Sequence, residues 1–139
     1  MRRLVAAARV GRLATINADG SPHLVPFVFA LEHDTIYSTV DDKPKRSTRL
    51  RRVANIERDP RATVLADHYQ DAWEHLWWVR VDGLGRVVSD DAEAARAREL
   101  LGDKYDQYED LSDQTVIAID AQRWTGWSFS PPSDGEPSR

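Results

Sequence analysis

From Gly11 onward the chain alternates short β-rich runs with turn signals, and this limits its fold more than any other feature. Arg12-Leu13-Ala14-Thr15-Ile16 is followed by Asn17-Ala18-Asp19-Gly20, residues that favour a tight reversal because Asn, Asp and Gly accept left-handed backbone. Residues 23–30 are β-rich again. Pro26 has no N–H to give to a sheet ladder, so a sheet edge or a bulge is predicted there. Glu32-His33-Asp34 is a second polar turn, and Thr35-Ile36-Tyr37-Ser38-Thr39-Val40 reads as a third strand. Together these runs predict an antiparallel meander.

The period then changes. Leu50, Val53 and Ala54 fall at helical spacing within residues 45–56, and Asp59-Pro60 ends that helix. Residues 62–66 read as a fourth strand, 69–74 as a polar loop, and 76–83 as a fifth strand that 84–88 either extends or follows as a sixth. Residues 90–101 form the clearest helix, with Asp90 as N-cap, Glu93 completing a capping box and Gly102 as its stop. Residues 104–108 add one further turn. Residues 115–119 are the last strand, and the aromatic stretch 124–129 is ordered. About six antiparallel strands with short flanking helices predict a mainly β protein built as a small barrel. It fills one domain over residues 1–130, followed by a flexible polar tail over 131–139.

Composition removes several chemistries. The chain has no cysteine, which excludes disulfides, iron–sulfur clusters, thiolate nucleophiles and Cys-ligated zinc. No apolar run approaches the ~20 residues of a membrane helix. Arg9 and Arg12 interrupt what would otherwise resemble a signal peptide, so residues 1–9 read as a short amphipathic helix and a cytoplasmic location is expected.

The net charge of −4 conceals a local excess. Lys43, Lys45, Arg46, Arg49, Arg51 and Arg52 occur within ten residues with no acid among them. Like charges on neighbouring helical turns repel, and an anion at the helix entry relieves that repulsion. Thr39, Ser47 and Thr48 can add hydroxyl donors. The plain alternative is a solvated basic face. Nucleic acid is not expected as a partner, because one short segment on an acidic chain makes no basic stripe.

There are five tryptophans. Trp77 and Trp78 are adjacent, so in a strand one enters the core and the other faces outward, sharing its face with Arg80. Trp124 and Trp127 bracket Gly126, where backbone can approach closely. Core packing and a chain–chain interface are the favoured roles for these rings. His68 and His75, with Asp67, Asp71 and Glu74, match no standard metal-site spacing, so no metal is expected. There is no phosphate-binding loop, dinucleotide fingerprint or nucleophile elbow. Phosphate-binding capacity without an evident acid–base pair suits chemistry carried by a cofactor.

Several segments in order resemble one family. They are Gly11-Arg12-Leu13-Ala14-Thr15, Asp19-Gly20-Ser21-Pro22-His23-Leu24-Val25-Pro26, Lys43-Pro44-Lys45-Arg46, residues 55–60, Asp67-His68-Tyr69, Leu76-Trp77-Trp78-Val79-Arg80 and Trp124-Thr125-Gly126-Trp127. The chain resembles the pyridoxamine 5′-phosphate oxidase-like split β-barrels, most closely the actinobacterial branch described as coenzyme F420-dependent enzymes. The resemblance implies a homodimer with two cofactor sites at its interface and a small-molecule substrate. It places the cofactor phosphate at Thr39, Lys43, Lys45, Arg46 and Arg49, the ring beside Pro26, Trp77 at the rim and Arg80 within reach. It implies hydride transfer from reduced F420 to an electron-poor double bond. An FMN-dependent oxidase or reductase, and a non-catalytic flavin-, F420- or haem-binding protein, are the alternatives. Vitamin B6 oxidation is not expected, because cofactor binding would consume the one dense basic cluster.

Overall fold

The turn residues act where the sequence places them. Gly20 takes φ 86° between the first two strands, and His33 takes φ 55° between the next two. In a computed structural model that describes residues 1–40, 47–108, 110–112 and 114–129 (backbone alone over 47–50), the elements are α1 (Arg2–Ala7), β1 (Gly11–Ile16), β2 (Pro22–Phe27), β3 (Ala30–Glu32), β4 (Thr35–Val40), α2 (Ser47–Arg58), β5 (Arg61–His68), β6 (Trp77–Val87), α3 (Asp91–Lys104) and β7 (Thr115–Ser128). One 3-10 turn, Trp73–His75, interrupts the loop before β6. The strands form one antiparallel sheet in the order β2-β1-β5-β6-β7-β4-β3, curled into a split barrel. The expected tail, residues 131–139, lies outside the described residues, and no helix among the described residues is long and apolar enough to cross a membrane.

The first three strands do not form a meander. β1 pairs with β2 and β3 pairs with β4, but the two hairpins sit at opposite ends of the sheet. The reason lies in β4, where Ile36 to Val40 are all buried. A strand buried on both faces needs the barrel interior on one side and a cover on the other. Ile36 and Val40 enter the main core with Leu13, Phe29 and Val81. Tyr37 instead packs with Ala94 and Ala97 of α3, and β7 supplies the hydrogen-bonding partner from Thr35↔Asp120 to Val40↔Thr115.

Pro26 lies on β2, an end strand of the sheet, as its missing N–H requires. Residues 84–87 extend β6 as one strand, with a register shift between Asp82 and Gly83. A Cβ at Gly83 would lie 2.4 Å from the Asp120 carbonyl oxygen, so only glycine fits this bulge. The aromatic stretch becomes the end of β7, with Trp127 opposite Trp78. Trp77 and Trp124 pack against the core, while Trp78 stays 36% exposed.

Asp90 caps α3 by accepting a hydrogen bond from the Glu93 N–H at 2.8 Å. The Glu93 carboxylate does not turn back as a capping box would. It takes two bonds from Arg86 and one from the Tyr37 hydroxyl. Arg86 also binds Asp120, whose carboxylate accepts from Thr35. This network ties α3 to β6, β7 and β4. Gly102 does not stop α3, which runs on to Lys104. A helical glycine costs about 1 kcal/mol, offset by the full burial of Leu101 and by Lys104 Nζ donating to the Phe29 carbonyl at 2.9 Å. Residues 105–108 accordingly leave the helix.

Candidate functional site

The two ends of the curled sheet meet without a ladder between them, and a cavity of about 330 Å³ opens at this seam. β2 contributes Pro26 and Phe27, β4 contributes Ser38 and Thr39, and α2 contributes Arg52. Tyr108 and Gln114, from the segment between α3 and β7, complete the wall with Val10 and Val28. Ser38 Oγ donates to the Val28 carbonyl at 2.8 Å, which holds β4 to the chain leaving β2.

Thr39 is the informative residue. It is only 8% exposed, and its hydroxyl has no hydrogen-bond partner among the described residues. Such an orphan costs roughly 1–3 kcal/mol, and a ligand oxygen at the cavity would satisfy it. The Arg52 guanidinium on the same wall adds a permanent positive charge suited to phosphate. An anionic group therefore fits this end of the seam.

His23, on the inward face of β2, has a buried Nδ1 with no described partner. Burial first, then the charges of Arg51 and Arg52, pushes its pKa below the usual imidazole value, so it is neutral at pH 7. Asn55, 2% exposed, fastens α2 to the barrel by donating to Thr15 Oγ1 and Asn17 Oδ1, both at 3.1 Å. α2 is thus a fixed platform for Arg52.

The structure brings Pro26 and Thr39 into one cavity. Lys43, Lys45 and Arg46 lie outside the described residues, and Arg49 is placed only as backbone in the first turn of α2. Trp77 and Arg80 do not reach this cavity within one chain. β6 sits in the middle of the sheet, far from the seam at its ends. Trp77 lines a separate shallow pocket with His68 and His75. Arg80 lies on the outer face and donates to Asp82 at 2.9 Å. Among the described residues no His, Asp and Glu are grouped to hold a metal ion.

Sequence reasoning missed Tyr108 and Gln114 altogether, because nothing in residues 104–114 marks them as facing β2 and β4. Arg52 was visible within the basic cluster, but helical periodicity alone could not tell which of its cations faces the barrel.

The outer face of the sheet carries Leu24, Leu65 and Trp78, exposed by 66%, 36% and 36%. Pairing sets Leu65 between Arg12 and Arg80, so apolar and cationic side chains alternate across it.

Comparison with known proteins agrees with this architecture. Residues 1–128 match the family model described as pyridoxamine 5′-phosphate oxidase. No curated protein matches the chain. Among solved structures, a conserved hypothetical protein from Mycobacterium tuberculosis is 25% identical with a TM-score of 0.75, over 91% of this chain and 81% of that one. An FAD-binding protein from Mesorhizobium loti is 23% identical with a TM-score of 0.68, over 90% and 89%. A haem storage protein from Vibrio cholerae is 13% identical with a TM-score of 0.67, over 91% and 90%. The last two likenesses speak for the fold alone.

Proposed function

The chain belongs to the pyridoxamine 5′-phosphate oxidase family, and on that premise we propose that it is an oxidoreductase holding a flavin-type cofactor at the β2–β4 seam. Coenzyme F420 is the proposed cofactor and FMN the alternative. The orphaned, buried hydroxyl of Thr39 beside Arg52 carries the reading. Together with Lys43, Lys45, Arg46 and Arg49 from the adjoining basic segment, these groups would hold the cofactor phosphate. Pro26 would border the ring. When bound, such a cofactor supplies the hydride for an electron-poor double bond. The chain orients it through Thr39 and Arg52, and Phe27 and Val28 help keep water from one side. Oxidation of a vitamin B6 phosphate is not part of the proposal, because the basic segment serves the cofactor.

We also propose a homodimer, located in the cytoplasm. Leu24, Leu65 and Trp78 leave an apolar outer face that a second copy would cover. In that dimer Arg80 and Trp77 would approach the partner's site, which they cannot do within one chain.

A binding-only role is the second reading. No His, Asp or Glu lines the seam cavity among the described residues, so Tyr108 is the one described side chain there with an ordinary acid–base role. The same observation counts against haem, which would need an axial ligand.

Titration of the purified protein with F420 and with FMN, followed by cofactor fluorescence, tests the reading. Substituting Lys45 and Arg46 together by alanine should weaken binding strongly. No binding of either cofactor at ~100 μM would overturn the proposal. Stoichiometric binding with no turnover of enones or quinones would favour the second reading.

A further inference from the structure

Beside the seam lies a second cavity of about 650 Å³, which shares Val28 and Tyr108 with the first. Arg9, Tyr105, Asp106 and Gln107 form its remaining wall. The Arg9 guanidinium is already ordered. It donates through Nη2 to the Lys104 carbonyl at 2.9 Å and lies over the Tyr105 ring at 4.7 Å. A guanidinium carries five N–H donors, so one carbonyl bond leaves capacity for a ligand.

A second cation backs it. Lys104 is half-buried, with Nζ 4.2 Å from the Phe29 ring centroid and 5.3 Å from that of Tyr105. No described carboxylate lies within ion-pair distance of it. Burial, then the charge of Arg9, pushes the Lys104 amine down to about 8. The repulsion between these two cations is therefore not cancelled by the fold. Asp106 is the one described acid in the wall, set against both.

The rest of the wall suits a flat ring. Tyr105 and Tyr108 meet edge to face at 6.0 Å, and Val28 adds an apolar side. The Tyr105 ring is held because its hydroxyl accepts from the Phe29 N–H at 3.3 Å and lies 3.0 Å from the Arg9 and Phe29 carbonyl oxygens.

We propose that this second cavity is the substrate subsite and takes a flat aromatic carboxylate, with Arg9 as the anchor and Tyr105 and Tyr108 as its aromatic walls. Its role as the substrate's place rests on the cofactor reading above; the binding of the anion does not. Shared walls put such a ligand against the cofactor seam.

Calorimetric titration of the full-length, cofactor-free protein with 2-naphthoate and with 2-naphthamide, a neutral molecule of the same shape, separates charge recognition from ring packing. The naphthoate should bind about tenfold more tightly, as a charge-assisted pair predicts. Arg9→Gln should remove that preference while leaving the amide's affinity in place, and Arg9→Lys should keep part of it. If Arg9→Gln does not fold, raising the salt concentration on the unaltered protein should erode the preference. Equal affinity for both probes, a preference that survives Arg9→Gln or high salt, or no naphthoate binding at about 5 mM overturns the inference. Naphthoate selectivity without F420 or FMN binding would sink the cofactor reading alone. Cofactor binding without naphthoate selectivity would sink this inference alone.

Discussion

Two polar regions at different points along β4 are built in opposite ways. On the α3 side, Arg86 meets Glu93 and Asp120, Tyr37 donates to Glu93 and Thr35 donates to Asp120. Each charge there has an opposite charge within 2.7 Å. On the seam side, Thr39 has no described partner for its hydroxyl, and beside the neighbouring cavity two cations, Arg9 and Lys104, lie 4.7 and 5.3 Å from the centroid of the Tyr105 ring. Both regions lie on the same sheet, so sheet formation does not explain the difference. A closed network needs nothing from outside and acts as scaffold. Polar groups left open beside a cavity lower stability unless a ligand completes them, which is the pattern of a binding site.

The contrast can be broken from the scaffold side first. Gly83→Ala should have the largest effect, because its Cβ would meet the Asp120 carbonyl oxygen and force the bulge that places Asp120; a loss of about 3 kcal/mol or more in urea unfolding is expected. Arg86→Met should cost about 2 kcal/mol by the same measurement. This is less than for a fully buried pair, because Arg86 is 41% exposed. A silent Arg86→Met would show that the network is decoration.

A pH series on both proteins sharpens the point. Arg86, then Tyr37, holds the Glu93 carboxyl down to about 2. Its contribution is therefore present above the ordinary carboxylate range and is lost as pH falls from about 5 toward 2. Burial, then Glu93, raises Tyr37 to about 12, so its contribution is present below about pH 10 and is lost as pH rises through 12. Arg86→Met should flatten the acid limb. An unchanged slope would remove Glu93 from the account.

The smallest expected change in stability is at the seam, and it has the opposite sign. Thr39→Val removes an orphaned hydroxyl at nearly constant shape, so unfolding free energy should hold or rise by up to about 1 kcal/mol. Cofactor affinity should fall by roughly tenfold. A clear loss of stability would mean that the hydroxyl serves the fold.

Much of the fold was legible from short-range chemistry. Gly20 and Pro26 announced a turn and an end strand, Asp90 announced the start of α3, and the adjacent tryptophans divided between core and surface. What escaped depended on distant partners. Gly102 looked like a helix stop until Leu101 packed with Ala30 and Leu111 and Lys104 reached the Phe29 carbonyl. Glu93 looked like half of a capping box, but a bidentate arginine outcompeted one backbone N–H. The candidate site was half legible: Thr39 and Pro26 stood out, and Arg52 lay within the basic cluster, whereas Tyr108 lies in a stretch without periodicity or motif.

The chain alone determined what is local: which segments become strands, where they turn, which chemistries the absence of cysteine removes and where positive charge concentrates. These follow from backbone sterics and side-chain type over a few residues. Only the tertiary structure decided that the β3–β4 hairpin leaves β1 and β2 so that β4 lies beside β7, that the ends of the sheet meet at a seam, and that Thr39, Arg52 and Tyr108 face one space. Those choices depend on burying both faces of β4, a condition no short stretch of sequence can state.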